Sequence, residues 1–167
     1  TKWSPTSYMC QFHHCHHNGV SVAGDGRLVI PDSWTAATLA SSPFGGCPAI
    51  TSLDLQSAAI VGAAYTAGSS LLDTYFAASK GTIAAVAIGG GVTSVGAYAF
   101  YSAPALATVS LPDDVSIGEY AFGATPSLEA ASLVPHMAGC YDSRTRVELG
   151  GWVFQGRMDS LGDARAA

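Results

Sequence analysis

The sequence predicts an α/β solenoid, with a short-stranded parallel sheet on one side and irregular or short helical turns on the other. Three observations predict it. Apolar-x-apolar triplets recur along the chain: Leu28-Val29-Ile30, Leu53-Asp54-Leu55, Val86-Ala87-Ile88, Val109-Ser110-Leu111 and, more weakly, Ala131-Ser132-Leu133. Their first residues, 28, 53, 86, 109 and 131, are 25, 33, 23 and 22 residues apart. Upstream of three of them, Phe, Pro and Ile or Leu recur at fixed offsets: Phe44, Pro48 and Ile50; Phe100, Pro104 and Leu106; Phe122, Pro126 and Leu128.

A triplet with its outer side chains on one face is a minimal strand, and its repetition every twenty-odd residues lays each strand parallel to the last. Residues 1–26 lack the pattern and read as an N-terminal cap, residues 27–135 as the repeats, and residues 136–167 as a C-terminal cap and tail. A unit of this size cannot bury its own Phe, Leu and Val, so burial comes from stacking and the ends must differ from the middle. The unit holding Phe76, Ile83, Val86 and Ile88 carries about ten extra residues around Ala64 to Asp73, predicted as a bulging loop. Before the last two Phe residues stand Val95-Gly96-Ala97-Tyr98-Ala99-Phe100 and Ile117-Gly118-Glu119-Tyr120-Ala121-Phe122, identical at four of six positions. Gly96 and Gly118 are expected to take positive φ in a tight bend, and the aligned Phe rings to form an apolar ladder. Of the terminal stretches, Trp3, Tyr8, Phe12 and Trp152-Val153-Phe154 are expected to close the core ends, and residues 156–167 to form an extended or poorly ordered tail.

This block, followed by five residues, a Leu and a strand ending in Pro, resembles the BspA-like class of leucine-rich repeats over roughly Leu28 to Pro135. The resemblance implies a right-handed solenoid. It also implies an interaction role, since such proteins are often surface or secreted adhesion proteins of bacteria and protists.

Composition bounds the partners. Net charge is -5 and Lys plus Arg number 7, too few and too scattered for the cationic groove that counterion release requires, so nucleic acid is excluded as a partner. From Gly81 to Pro112 only the phenols of Tyr98 and Tyr101 ionise, yet Gly89, Gly90, Gly91, Gly96, Pro104 and Pro112 interrupt the stretch, so it is not read as a transmembrane segment. Charged residues make up 11% of the chain, against about 25% in ordinary soluble domains. Such a surface suits a subunit covered by neighbours. The chain starts at Thr1 with no signal peptide, which reads as a processed or trimmed form, with the compartment left open between cell surface and organellar complex.

The candidate chemistry is sparse. Cys10, His13, His14, Cys15, His16 and His17 are the one concentration of metal-ligand types, and thiolate with imidazole suits zinc or copper. All six lie within eight residues, whereas structural zinc sites use two separated ligand pairs, so a polar cap or one stapled by a disulfide (Cys10 to Cys15, or either to Cys140) is the competing reading. Cys47 aligns with Ala103 and Thr125 and is read as a small buried side chain rather than a catalytic thiol. Gly24-Asp25-Gly26 and Gly89-Gly90-Gly91 lack the residues of phosphate-binding loops and read as turns. No nucleophile elbow or carboxylate pair is present, Asp113, Asp114 and Glu119 falling in expected turns. No cofactor is therefore expected, zinc being the metal the cap would take, and the chain is not read as an enzyme.

What remains is the outer face of the predicted sheet. Residues between buried ones point outward, placing Arg27, Val29, Ser52, Asp54, Gln56, Ala85, Ala87, Thr108, Ser110, Ala130 and Ser132 there. Short side chains permit close approach of a protein partner. The expectation is an interaction module, first as a scaffold subunit of a larger assembly, second as an exposed adhesion or recognition protein, third as a metal-binding protein.

Overall fold

Four of the five triplets become neighbouring strands. The structure, a computed structural model, describes residues 15–47, 50–113 and 115–128, and the backbone of strands at 146–149, 152–155 and 165–166. It is a mixed α/β chain whose main sheet is four-stranded and parallel, ordered β3 (Arg27–Ile30), β4 (Ser52–Leu55), β5 (Ala85–Ile88) and β7 (Thr108–Ser110). Register is shared throughout: Leu28 faces Leu53, Leu53 faces Val86, and Val86 faces Val109. These four side chains, with Ile30, Leu55 and Ile88 two residues on, are buried, as alternation along a half-covered strand requires. The fifth triplet, 131–133, lies outside the described residues.

Between the strands the chain turns through short helices, α1 (Ala36–Leu39), α2 (Ala58–Val61) and α3 (Leu71–Tyr75), and a 3-10 turn over Ala77–Ser79. Helices of four or five residues have no stability of their own in water, so packing and capping hold them. Ser57 caps α2 by accepting from the Ile60 amide, while its hydroxyl donates to the Trp34 carbonyl at 2.5 Å, tying one unit to the one before. The insertion expected as a loop ends in a helix, its last three residues, Leu71 to Asp73, beginning α3. Thr66 and Ser69 bridge across a tight turn, and then Ser70 and Asp73 form a reciprocal capping box that starts α3, whose Leu71 and Leu72 are fully buried.

A second, smaller parallel pairing joins β6 (Ser94–Val95) to β8 (Ser116–Ile117), beginning the two near-identical blocks. From there the two stretches run side by side. The amides of Tyr98, Phe100 and Ser102 donate to the carbonyls of Glu119, Ala121 and Gly123 at 3.0, 2.7 and 2.9 Å. Their backbones repeat each other's conformation, with φ of 57° and 52° at Tyr98 and Tyr120, and of 55° and 52° at Ser102 and Ala124. Ser42, two residues before Phe44, has φ of 47°, so the same bend precedes the first Phe.

This corrects the expectation for Gly96 and Gly118, since the positive-φ glycines among the described residues are Gly19 and Gly26. The left-handed bend is carried by the tyrosines two residues later. The glycines meet a different requirement: a Cβ on Gly96 would lie 1.6 Å from the Ala63 carbonyl oxygen, and one on Gly118 would lie 2.5 Å from the Ala97 amide nitrogen. They are glycine because adjacent backbones touch there.

Aromatic rings fill the interior. Phe44, Phe76, Phe100 and Phe122 are all fully buried. Phe100 and Phe122 stack with centroids 5.3 Å apart and planes 6° from parallel; Trp34, Phe44 and Phe76 form a second run at 6.3 and 6.4 Å. At the N-terminal end a hairpin of β1 (His16–His17) and β2 (Val20–Ser21) sits beside β3, its Val20 and Val22 packed on the core. Toward the C-terminus β9 (Arg146–Leu149), β10 (Trp152–Gln155) and β11 (Arg165–Ala166) form an antiparallel sheet. Arg165 pairs with Val153 and Ala166 with Trp152, while the rest of the stretch expected as a tail, residues 156–164 and 167, lies outside the described residues.

Candidate interaction face

The outer face of the main sheet carries two in-register rows. Val29, Asp54, Ala87 and Ser110 form one, and Arg27, Ser52, Ala85 and Thr108 the other. Arg27, Val29, Thr108 and Ser110 are exposed and the remaining four half-buried. Three inter-strand steps of about 4.8 Å make the face roughly 14 Å wide. Past the first strands its side chains are short, so it is shallow as well as broad. Val29, 40% exposed, is the one large apolar side chain left open among the described residues. Ala130 and Ser132, placed on this face by the sequence, lie outside those residues.

One polar cluster interrupts the small side chains. Arg27 pairs with Asp54 across β3 and β4 at 2.6 Å, the Arg27 side chain 55% exposed and that of Asp54 only 15%. Gln56, just past the end of β4, donates to the other Asp54 oxygen. A Cβ on Gly89 would collide with the Gln56 amide, so the absence of a side chain at 89 is what lets Gln56 fold over the sheet. Both carboxylate oxygens of Asp54 are thereby engaged, and the guanidinium of Arg27 is the charge offered outward.

Tyr65 is pushed above its ordinary value by burial and by nearby Tyr75, and its hydroxyl donates to the Ile60 carbonyl at 2.6 Å, a structural role. Asp113 and Glu119 are exposed in turns, and Asp114 lies outside the described residues. A half-buried tyrosine group, Tyr98, Tyr101 and Tyr120, packs at centroid distances of 5.3 Å beside the second sheet, where partial desolvation and the Glu119 carboxylate raise the Tyr98 phenol.

The His/Cys-rich segment divides. Cys10, His13 and His14 lie outside the described residues. Cys15 is half of a disulfide with Cys47, Cα atoms 5.7 Å apart, rather than a thiolate free to ligate, which also corrects the expected pairings with Cys10 or Cys140. His16 and His17 are adjacent on a strand and so project to opposite sides; His16 is exposed, and the His17 ring sits edge-on to Trp34 at 5.7 Å. Among the described residues, no three of His, Cys, Asp and Glu come together as a metal would need. Cys47 is buried, as are the residues at its aligned positions, Ala103 and Thr125. Four cysteines allow several pairings and spacing cannot choose among them. The usable signal was that Cys47 faces inward in the unit nearest the cap that holds Cys15.

Among the described residues, no helix is long and apolar enough to cross a membrane. No family model, no curated protein and no solved structure matches the chain.

Proposed function

We propose that this chain is a leucine-rich-repeat solenoid of the BspA-like class, right-handed, acting as a non-enzymatic protein–protein interaction module within a larger assembly. The observation that carries it is the in-register parallel sheet whose outer face is broad, shallow and nearly uncharged, with one guanidinium at its edge. A flat face of short side chains lets a second protein surface approach closely over a large area, and the low charge of the whole chain fits a surface that neighbours cover. The Val/Ile-Gly-x-Tyr-Ala-Phe blocks support the family assignment, because they repeat in backbone conformation as well as in sequence.

The test places a long charged side chain in the middle of the face. Ala87→Arg leaves the buried side of β5 untouched, so the unfolding midpoint should stay within a few degrees while affinity for the partner isolated with the native protein falls at least tenfold. Retained affinity would remove the face from the interaction. Size-exclusion of the isolated chain gives a second reading: the assembly role predicts self-association at high concentration, and a monodisperse monomer would count against it.

A second reading, a secreted or surface-exposed recognition protein, is favoured by one observation, the Cys15–Cys47 disulfide, since such bonds persist in oxidising compartments. Metal binding through the N-terminal segment keeps only its histidines and Cys10 as ligands, and stoichiometric zinc in the purified chain is the result it requires.

A further inference from the structure

We infer that the Cys15–Cys47 disulfide is a redox-controlled closure of the N-terminal end of the core: the first unit buries its aromatic end stably only once this bond has formed. The inference is independent of which surface binds a partner. Cys47 is fully buried three residues after Phe44, to whose carbonyl its amide donates at 3.0 Å, whereas Cys15 is half-buried at the foot of the β1–β2 hairpin. The hairpin has two residues per strand, too few to be stable in isolation. Yet it covers something that needs cover. His17 packs edge-on against Trp34, which stacks on Phe44 at 6.3 Å and is only 7% exposed.

An end unit has a neighbour on one side alone, so the cap must supply what the missing neighbour would. Among the described residues its noncovalent means are Val20 and Val22 against the core, the His17 edge, the Val22 amide donating to the Cys15 carbonyl at 3.2 Å, and a turn in which the Ala23 amide donates to the Arg27 carbonyl at 2.8 Å. The disulfide spans 32 residues, closing a ring that contains β3, α1, Trp34 and Phe44, and a ring of that size removes substantial freedom from the unfolded chain. Formation is a two-electron exchange. Cys15 and Cys47 thiols lose two electrons and two protons to an oxidised small-molecule disulfide, which leaves as two thiols. In reverse, an attacking thiolate meets the half-buried Cys15 sulfur first and must expel the Cys47 thiolate into apolar surroundings, where it is a poor leaving group. The docked hairpin therefore protects its own bond.

The experiment uses the full chain expressed in an oxidising compartment. Alkylation without reduction, followed by digestion and mass mapping, should give a linked peptide joining Cys15 to Cys47. Addition of a dithiol reductant should lower Tm on the order of 10 °C. Proteolysis within residues 15–47 should accelerate at least tenfold on reduction. The Cys15→Ser/Cys47→Ala double variant should match the reduced chain and no longer respond to reductant; if it does not fold, reduced and alkylated native chain supplies the same comparison. Both thiols alkylated in the native chain, linkage of either to Cys10 or Cys140, or a bond whose reduction changes neither Tm nor cleavage would overturn the inference.

Discussion

At position 96 one methyl group decides whether two units can meet. A Cβ there would sit 1.6 Å from a backbone oxygen, and backbone cannot rotate away as a side-chain end can. Gly96→Ala should therefore cost about 3 kcal/mol or more, by overpacking against a neighbour that cannot yield. Gly90, six residues earlier, has nothing within 4 Å of its Cβ position and no positive φ, so Gly90→Ala should change stability by no more than about 0.5 kcal/mol. Urea denaturation of the two variants checks the pair, and equal effects would sink the close-approach account. In the sequence Gly96 stands between Val95 and Ala97 and Gly90 between Gly89 and Gly91, and neither setting shows which of them touches a neighbour. Repetition of Gly at 96 and 118 marked the position as special, but whether the cause is a bend or a contact depends on Ala63, which is 33 residues before Gly96.

Among the elements, α3 owes its start to a few polar atoms. Burial alone would raise the Asp73 carboxyl, but hydrogen bonds from Lys80 and from Ser70, with the Lys80 charge at 2.7 Å, hold it below its ordinary value. A carboxyl depressed in the folded state stabilises above its unfolded value of about 3.9 and loses that contribution as pH falls through the lower folded value. Stability should thus drop in acid below about pH 4, and Asp73→Asn should flatten that part of the profile while weakening α3 at neutral pH; thermal melts from pH 2 to 7 measure it. An unchanged acid limb would mean that other carboxylates carry the effect. The Ser70–Asp73 capping box lies in the stretch where the repeat breaks, and there a broken period reads as a loop. The strands were legible because period-two burial needs only three residues to show. By contrast, the Arg27–Asp54 pair gives little stability, since an exposed guanidinium is solvated with or without its partner.

In the proposed stack, ring contacts join adjacent units. Phe100 and Phe122 touch; Phe44 and Phe100 belong to units whose strands, β4 and β7, are separated by β5. Each Phe→Ala change should cost about 3–5 kcal/mol. In double-mutant cycles by chemical denaturation, the Phe100/Phe122 pair should couple by about 0.5–1.5 kcal/mol and the Phe44/Phe100 pair should be additive. Coupling of similar size in both would contradict stacking by nearest neighbours.

Local pattern was enough to set four strand positions, their parallel order and the inward Phe, Leu and Val, because each follows from a motif that recurs every 23 to 33 residues. The disulfide partner of Cys15, the steric reason for Gly96 and Gly118, the folding of Gln56 over Gly89 and the helix inside the insertion were decided in three dimensions. Each depends on atoms brought together from different units, and a one-dimensional period says which residues are equivalent without saying which ones touch.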